Sequence, residues 1–258
     1  MLDFFTQRWE LVLSAQSFCW VQRPVWGKGP GQCVAQLTLD APLQGPERLV
    51  ALASFLESSP VRYRPVRVCL DDSWLYAAQL TPLQNAARWS DVQSYTAMRL
   101  QEVFELTQAL KVVMAPVREG PYWACALLQS DLEALRDMLS AQRLTMASCV
   151  PQWSVVWNHV AEQVPADGAV LLVQAQASHL VVSQQGRLSA LRHWPMALNS
   201  LPSGQCEDLL AQEFRRQGLP MPERMGWVGS GALPEGQGVH WQRLGDAAGV
   251  LAVWKVKP

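Results

Sequence analysis

Short apolar runs separated by turn residues shape the stretch from Asp167 to Trp194. The runs are Ala169–Val173, Leu180–Ser183 and Leu188–Trp194, and two polar breaks, the second ending at Gly186, separate them. Runs of this length, rich in Val and Leu and bounded by turn signals, are typical of β-strands. The pattern therefore predicts an antiparallel β-meander in this part of the chain.

The N-terminal stretch from Trp9 to Leu39 repeats the pattern. Its apolar runs are Leu11–Leu13, Phe18–Val21 and Gln32–Leu39, and the Gly-Lys-Gly-Pro-Gly segment at Gly27–Gly31 connects the last two. A Walker phosphate loop needs Gly-x-x-x-x-Gly-Lys, then Ser or Thr, then a helix, whereas a glycine and a strand follow the lysine here. We therefore predict a second meander in which Gly27–Gly31 is a hairpin turn.

Between the two meanders, helical periodicity alternates with further strands. Apolar residues spaced by three and four predict helices, and short continuous apolar runs predict strands. The predicted elements are, in chain order, a helix at Pro46–Ser58, strands at Arg67–Leu70 and Trp74–Leu80, a helix at Arg88–Leu106, strands at Lys111–Ala115 and Tyr122–Gln129, a helix from Ser130 to about Gln142, a strand at Thr145–Val150 and a helix from Gln152 to about Glu162. The order indicates an α/β protein.

The adjacent carboxylates Asp71-Asp72 follow the first of these middle strands. We expect Arg67–Leu70 and Trp74–Leu80 to form a hairpin around them, with the acidic pair in a solvated turn. A divalent-metal nuclease would need further acidic residues converging from other strands, and the meanders carry none at their centres. The Asp pair is therefore not assigned to a metal site.

Two of the predicted helices make specific claims about side chains. The capping box Ser130-Asp131-Leu132-Glu133 places the Ser130 hydroxyl and the Glu133 carboxylate on helix-start N–H groups. In the helix Arg88–Leu106, apolar residues recur at helical spacing and are expected to face a core. Those residues are Trp89, Val92, Tyr95, Met98, Leu100, Val103 and Phe104.

The C-terminal part of the chain predicts a helix, a strand and another helix. Ser203 is expected to cap the first helix, which has acidic residues in its first turn and Arg215-Arg216 in its last, where the helix dipole favours each charge. Met225–Ala232 is predicted to be a strand that runs into a Gly-Ser-Gly turn, and Ala247–Trp254 a terminal helix.

Composition limits the classes of function. A chain of 258 residues with 49% hydrophobic and 17% charged residues can fill one large core or two modest ones, and we expect two lobes. The net charge of −1 lacks the basic footprint of a nucleic-acid-binding protein. No apolar window reaches the length of a membrane-spanning helix and the N-terminus does not resemble a signal peptide, so a cytoplasmic location is expected.

Residues with catalytic potential do not form recognised motifs. Ser230 lacks the flanking glycines of Gly-x-Ser-x-Gly because Val228 and Ala232 occupy those positions. The four histidines are dispersed, and His179 is expected in an exposed turn.

The six cysteines show no Cys-x-x-Cys pair and are expected to be buried thiols. The 12 tryptophans are expected to pack in cores, although a row of exposed ones would indicate a carbohydrate-binding module.

Three segments resemble the actin-like ATPase superfamily, specifically the pilus-assembly PilM proteins and the cytoplasmic part of the type II secretion GspL proteins. Ala169–Pro195 is similar to the phosphate hairpin of the second PilM lobe, and Ser203–Gly231 to the helix and glycine turn that contact adenosine. Leu132–Asn158 is similar to the elements that join the lobes. The resemblance implies an α/β, two-lobed actin-like (duplicated RNase H-like) fold with mixed sheets flanked by helices.

The chain departs from this family where phosphate would bind. By the resemblance, Ser14 and Gln16 in the first lobe, and Gln174 and Gln176 in the second, stand at the positions of the family's Asp and Gly. The Asp holds magnesium-bound water, and the Gly lets backbone N–H groups approach the phosphates. Glutamine and serine offer neither a charge nor an open backbone. A possible adenosine-side turn remains, formed by Gly229, Ser230 and Gly231.

The resemblance and these departures together give the functional expectation. Residues 1–165 would form a first lobe with an insertion around 71–129, and residues 166–258 a second lobe. The protein would be a catalytically inactive scaffold of a type IV pilus or type II secretion-like assembly platform, peripheral to the inner membrane, without a metal or another cofactor. Its partner would be a PilN-like inner-membrane protein tail or an assembly ATPase, with a homodimer possible. A divergent ATPase or small-molecule kinase of the same superfamily is the alternative.

The partner groove has no residue-level signature. The helix Arg88–Leu106 and the hairpin Lys111–Gln129 fall where the first lobe carries its insertion, and we expect the groove there.

Overall fold

The computed structural model describes residues 7–24, 31–43, 45–81, 88–114, 122–173, 177–202, 204–229, 233 and 238–244. Contacts divide these residues into two compact units. The first contains residues 7–24 and 32–152, and the second is formed by the described residues from Trp153 onward. The Gly-Lys-Gly hairpin turn predicted at Gly27–Gly31 lies outside the described residues except for Gly31.

The first unit is built on a five-stranded mixed sheet of order β3-β2-β1-β4-β8. Its elements are, in chain order, β1 (Gln7–Leu13), β2 (Ser17–Pro24), β3 (Gln32–Thr38), α1 (Gly45–Glu57), β4 (Pro65–Leu70), a 3₁₀ turn (Asp72–Trp74), β5 (Tyr76–Leu80), α2 (Trp89–Val103), β6 (Leu110–Met114), β7 (Tyr122–Leu128), α3 (Gln129–Ala141) and β8 (Thr145–Pro151). The next helix, α4 (Gln152–Val160), belongs to the second unit except for its first residue.

The N-terminal meander is confirmed. Strand β2 pairs antiparallel with β1 and with β3, while β1 pairs in parallel with β4, which pairs in parallel with β8. Alternate residues of these strands enter one core against α1 and α3, because successive side chains of a strand point to opposite faces. Its largest fully buried members include Phe18, Trp20 and Trp74.

The hairpin predicted for Arg67–Leu70 and Trp74–Leu80 is wrong. Strand β4 lies between β1 and β8 in the main sheet, and β5 belongs to a separate three-stranded antiparallel sheet of order β5-β7-β6. The 3₁₀ turn at Asp72–Trp74 redirects the chain from one sheet to the other. The two strands are close in sequence, which favours a hairpin between them. Strand β4 instead pairs on both sides with parallel strands, β1 and β8, and this buries it in the main sheet.

The prediction that the whole apolar stripe of the Arg88–Leu106 helix is core is also wrong. Helix α2 buries Thr96 and Leu100 against the small sheet, whereas Trp89, Met98 and Val103 are about half exposed. Met98 is two residues from each of Thr96 and Leu100, which places it on the opposite side of the helix from them. Only one narrow side of α2 therefore faces the sheet.

Helix α3 begins without the predicted capping box. It starts at Gln129, directly after β7, and its N-cap residue Leu128 makes no side-chain cap. The Gln129 side chain donates to the Glu133 carboxylate, while Asp131 is buried in an ion pair with Arg48. A strand that runs straight into a helix leaves no turn in which a Ser130 cap could form.

The second unit repeats the main-sheet arrangement with order β11-β10-β9-β12-β13. Its elements are β9 (Gly168–Val173), β10 (Ser178–Gln184), β11 (Arg187–Trp194), α5 (Gln205–Arg216), β12 (Arg224–Gly229) and β13 (His240–Arg243). Strands β9, β10 and β11 form the predicted antiparallel meander, and β9 pairs in parallel with β12. Each unit therefore has a meander whose first strand begins a parallel half-sheet.

Helix α5 packs on the second sheet as its sequence predicted. Cys206, Leu210 and Phe214 are buried, with acidic residues in the first turn and Arg215 and Arg216 in the last. Gly204 occupies the N-cap position, and the predicted cap Ser203 lies outside the described residues, as does the predicted terminal helix Ala247–Trp254. Among the helices that the structure describes, none has the length and apolar character needed to span a membrane.

Candidate functional site

The turn between β1 and β2 is the first-unit position where the sequence places a degenerate phosphate loop. The Ser14 hydroxyl accepts the backbone N–H of Ser17 at 2.9 Å and that of Gln16 at 3.3 Å. The Ser14 N–H donates to the Ser17 carbonyl at 2.9 Å. Serine therefore closes the turn on itself, because its short side chain bonds to nearby amides.

The remaining amide of the turn is held by a carboxylate from another strand. The Ala15 N–H donates to Asp71 Oδ2 at 3.0 Å, and Asp71 Oδ1 accepts the backbone N–H of Ser73 at 2.9 Å and the Ser73 hydroxyl. Parallel pairing of β1 with β4 sets Leu13 beside Leu70, so the residues that follow the two strands meet. Both oxygens of Asp71 are thereby engaged.

Burial raises the pKa of Asp71 to about 6, although hydrogen bonds from Ser73 and Ala15 partly oppose the rise and the negative charge of Asp72 adds to it. At a pH above this pKa, the Asp71 carboxylate is an anionic group that these hydrogen bonds hold beside the turn. A phosphate approaching the Ala15 amide would meet this negative charge and would have to displace it. The turn has the shape of an anion site whose donors are already used.

Arg48 supports the Asp71 turn from α1. Its guanidinium donates to the Ser73 carbonyl at 2.7 Å, lies 3.9 Å from the Trp74 ring centre and forms an ion pair with Asp131 of α3. Arg48 and Asp131 are both buried. The position of the carboxylate is therefore tied to the packing of two helices rather than left to a surface loop.

Sequence reasoning missed this role of Asp71. The Asp pair was assigned to a solvated hairpin turn, whereas Asp71 bonds across to the β1–β2 turn. The available signal was the Asp-x-Ser spacing of Asp71 and Ser73, which is typical of a side chain that caps its own turn.

In the second unit, the corresponding positions Gln174 and Gln176 lie outside the described residues, as do Ser230 and Gly231. Gly229 is the last residue of β12 and pairs with Val173. A Cβ at Gly229 would lie 3.0 Å from the Val173 Cβ and 3.1 Å from the Val173 carbonyl oxygen, tighter than ordinary contacts. Close strand packing therefore accounts for this glycine without a ligand.

The exposed turn predicted for His179 is wrong. His179 lies in β10 with 1% of its surface exposed, opposite His193 of β11. The two imidazole rings are 5.0 Å apart between centres, and the Trp153 ring is 6.2 Å from His179. Ser178, the next residue along β10, accepts the Leu198 N–H and donates to the Met196 carbonyl. Ser178 and His179, the last two residues of the polar break at Gln174–His179, therefore belong to the strand.

The described tryptophans and cysteines lie mostly in the protein interior. Trp20, Trp74 and Trp227 are fully buried, and Trp89 is about half exposed. Of the cysteines, Cys33 is exposed, in contrast to the expectation of buried thiols throughout. No row of exposed tryptophans is found in the described ranges, so those ranges do not favour a carbohydrate-binding module.

The small sheet and α2 concentrate exposed apolar side chains. Among the described residues, five of the nine large exposed apolar side chains are located there, namely Trp89, Met98, Val103, Phe104 and Val113. Val113 of β6 is 66% exposed on the sheet face opposite α2. Val113 is therefore separated by the sheet from the other four side chains, and the five do not form one contiguous patch.

No family model matches the sequence, and no curated protein matches it by sequence. Solved structures do match. A Bacteroides thetaiotaomicron protein with an actin-like ATPase fold superimposes with a TM-score of 0.61 at 10% identity, over 89% of this chain and 84% of that one. The identity is low enough that this likeness concerns the fold.

Two further structures belong to assembly systems. The cytoplasmic domain of EpsL, an inner-membrane component of the Vibrio cholerae type II secretion system, matches with a TM-score of 0.55 at 16% identity over 95% of this chain and 93% of that one. A PilM–PilN type IV pilus biogenesis complex matches with a TM-score of 0.55 at 16% identity over 87% and 81%. The chain therefore has the actin-like ATPase fold, with mixed sheets flanked by helices.

Proposed function

We propose that this chain is a catalytically inactive actin-like scaffold protein of a type IV pilus or type II secretion-like assembly platform. The observation that carries the proposal is the β1–β2 turn, in which the N–H groups of Ser14, Ala15, Gln16 and Ser17 all donate within the protein. Similarity to EpsL and PilM supports the biological setting.

The chemistry of phosphoryl transfer makes this turn decisive. Such catalysis rests almost wholly on positioned donors, cations and magnesium ions around the phosphate oxygens. Here Asp71 brings a negative charge to the Ala15 amide, and the side chains at positions 14, 16, 174 and 176 lack the carboxylate that would organise a metal. The first unit thus keeps the strands of the fold but lacks the groups that would bind phosphate.

A thermal-unfolding measurement tests inactivity. A ligand at one hundred times its dissociation constant stabilises a folded protein by about 2.7 kcal/mol, which shifts the melting temperature by several degrees. We expect no shift with millimolar Mg-ATP relative to magnesium chloride alone. A reproducible shift, or release of phosphate above the background of a heat-inactivated sample, would remove the inactive-scaffold proposal in favour of a divergent ATPase or kinase.

We place partner binding on the outer face of strand β6, at the edge of the small sheet, where Lys111 and Val113 are exposed. Strand β6 is an edge strand within the described sheet, so its outer backbone groups are positioned to pair with an added strand. Lys111 and Val113 are exposed on this face, which favours an extended tail that alternates acidic and apolar residues. Such a tail of an inner-membrane protein would hold the chain at the membrane.

Two matched valines test this surface. Val113→Asp puts a charge on the outer face, whereas Val50→Asp changes a valine of similar exposure, 68%, on α1. We expect co-purification of an inner-membrane assembly component from native cells to fall at least tenfold with Val113→Asp and to remain with Val50→Asp. Equal recovery with both variants contradicts the location, and failure of the unmodified chain to recover any such component contradicts the scaffold role.

The proposal also includes the lobe limits. Residues 1–165, with the insertion around 71–129, would form the first lobe, and 166–258 the second. Limited proteolysis of the purified chain would test them, since cleavage should concentrate near residue 165 rather than within β9 or α4.

A further inference from the structure

A β-bulge in the edge strand β3 changes which residue faces Cys19. Trp20 pairs with Ala35, and the next residue, Val21, pairs with Cys33, so Val34 is the extra residue of the bulge. In a regular strand, Val34 would pair with Val21 and share a sheet face with Cys19. The bulge gives that position to Cys33. A bulge re-aims side chains and increases the local twist, which shortens the diagonal between neighbouring strands.

The two thiols lie in direct contact. The Cys19 and Cys33 sulfur atoms are 2.9 Å apart, closer than non-bonded sulfurs usually approach, on facing strands joined by a short connection. Cys19 has 4% of its surface exposed, whereas Cys33 is exposed. Bond formation needs the sulfurs to close to about 2.05 Å, a movement that side-chain rotation can supply.

We propose that Cys19 and Cys33 form a reversible intramolecular disulfide that responds to oxidants. The pair is the only close contact between two cysteine sulfurs found among the described residues. It combines a solvent-facing sulfur that an oxidant can reach with a buried sulfur positioned to complete the bond. Reducing conditions keep both residues as thiols, and an oxidant closes the bond.

Hydrogen peroxide can form this disulfide in two steps, through a sulfenic acid on Cys33. The Cys33 thiolate attacks one peroxide oxygen, the O–O bond breaks, and hydroxide leaves as water after protonation, so Cys33 becomes a sulfenic acid. The Cys19 sulfur then attacks the Cys33 sulfur and displaces the hydroxyl as a second water. Two thiols are oxidised by two electrons in total, and one peroxide is reduced to two waters.

The environment of Cys19 fixes this order of events. Burial, with contributions from the neighbouring Cys33, raises the pKa of Cys19 well above that of an ordinary thiol. Since Cys33 is exposed and Cys19 is buried, the oxidant reaches Cys33 first, and Cys19 resolves the sulfenic acid in contact with it. The product adds a covalent link between the edge strand β3 and β2, the strand with which β3 pairs in the described sheet.

Peptide mapping of the full chain tests the bond. Trypsin cleaves after Arg8, Lys28 and Arg48, and the Arg23–Pro24 bond resists it, so the two cysteines fall on separate peptides, 9–28 and 29–48. After one equivalent of peroxide and alkylation of remaining thiols, we expect the two peptides to be joined, two hydrogens lighter than their sum. Dithiothreitol should separate them fully.

Variants separate this bond from other oxidation. Cys33→Ser, a change at an exposed position, should abolish the joined peptides, and Cys206→Ser should leave them unchanged. Hydrogen exchange of β3 amides should slow at least threefold in the oxidised chain and not in oxidised Cys33→Ser. Sulfinic acid at Cys33 without the internal bond, or a disulfide between two chains, would overturn the proposal, as would full alkylation of both thiols after peroxide treatment.

Discussion

The buried ion pair between Arg48 and Asp131 gives the sharpest test of how the Asp71 turn is held. Arg48→Met keeps an unbranched stem of similar reach and removes the charge. The substitution leaves Asp131 buried without its cation, frees the Ser73 carbonyl and removes the stacking over Trp74. All three losses act between α1, the 3₁₀ turn and α3.

The expected cost is large on the scale of the whole protein. Removing one member of a buried pair typically costs about 3 to 5 kcal/mol because it leaves an uncompensated charge, whereas a domain is stable by only about 5 to 15 kcal/mol. An exposed pair is worth about 0.2 to 1 kcal/mol. Arg99, whose side chain is 43% exposed and pairs with Glu102 within α2, offers that comparison.

Urea unfolding followed by circular dichroism measures both variants at pH 7. We expect Arg48→Met to lower the free energy of unfolding by about 3 kcal/mol or more and Arg99→Met by less than about 1 kcal/mol. Adding Asp131→Leu to Arg48→Met should recover more than half of the loss, because an apolar pair replaces the stranded charge. Similar costs for the two single variants, or no recovery in the double variant, would refute the reasoning.

Two further predictions concern a carboxyl and a glycine. Since burial raises the pKa of Asp71 to about 6, the folded state keeps a proton that the unfolded chain releases, and this contribution to stability is lost as the pH rises from about 4 to about 6. The stability of Asp71→Asn relative to the natural chain should therefore grow between about pH 4 and 6 and level off above, and a constant difference in urea unfolding contradicts this. A Cβ at Gly226 would collide with Leu244 and lie 2.9 Å from Val170 Cγ2, so Gly226→Ala should cost about 1 to 3 kcal/mol, while Gly238→Ala, with room at 3.5 Å, should cost less.

Local patterning was enough to predict the two meanders and the helices that pack on them. In β9 and β10, apolar runs and turn signals lie within a few residues of one another, and antiparallel pairing follows from short connections. In helix α5, the acidic residues of the first turn and the arginines of the last turn mark where the helix begins and ends. Such features need no knowledge of distant residues, which is why the order of elements pointed to the actin-like fold.

The errors arose where a distant partner outweighs the local signal. Strand β4 lies next to β5 in sequence, but pairing with β1 and β8 buries its backbone on both sides. Ser130 stands in a capping-box sequence, but β7 continues to Leu128 and the helix begins at Gln129, so Ser130 already lies inside the first turn and cannot cap it.

At the candidate site, too, the local residues were predictable from the sequence and the contact from a distant strand was not. Substitution at Ser14 and Gln16 indicates that groups for holding phosphate and metal are missing, but an empty turn could still bind an anion through its amides. That possibility is closed by Asp71, which is 56 residues away from Ala15 and reaches it because β1 and β4 are parallel neighbours. In the function proposed above, loss of phosphate binding would consist of two changes: removal of the ligands at the turn and occupation of its N–H donors by a carboxylate of the next strand. If the second change is what stabilises the turn, nucleotide binding would not return on restoring the family's Asp and Gly at positions 14 and 16 while Asp71 stays in place.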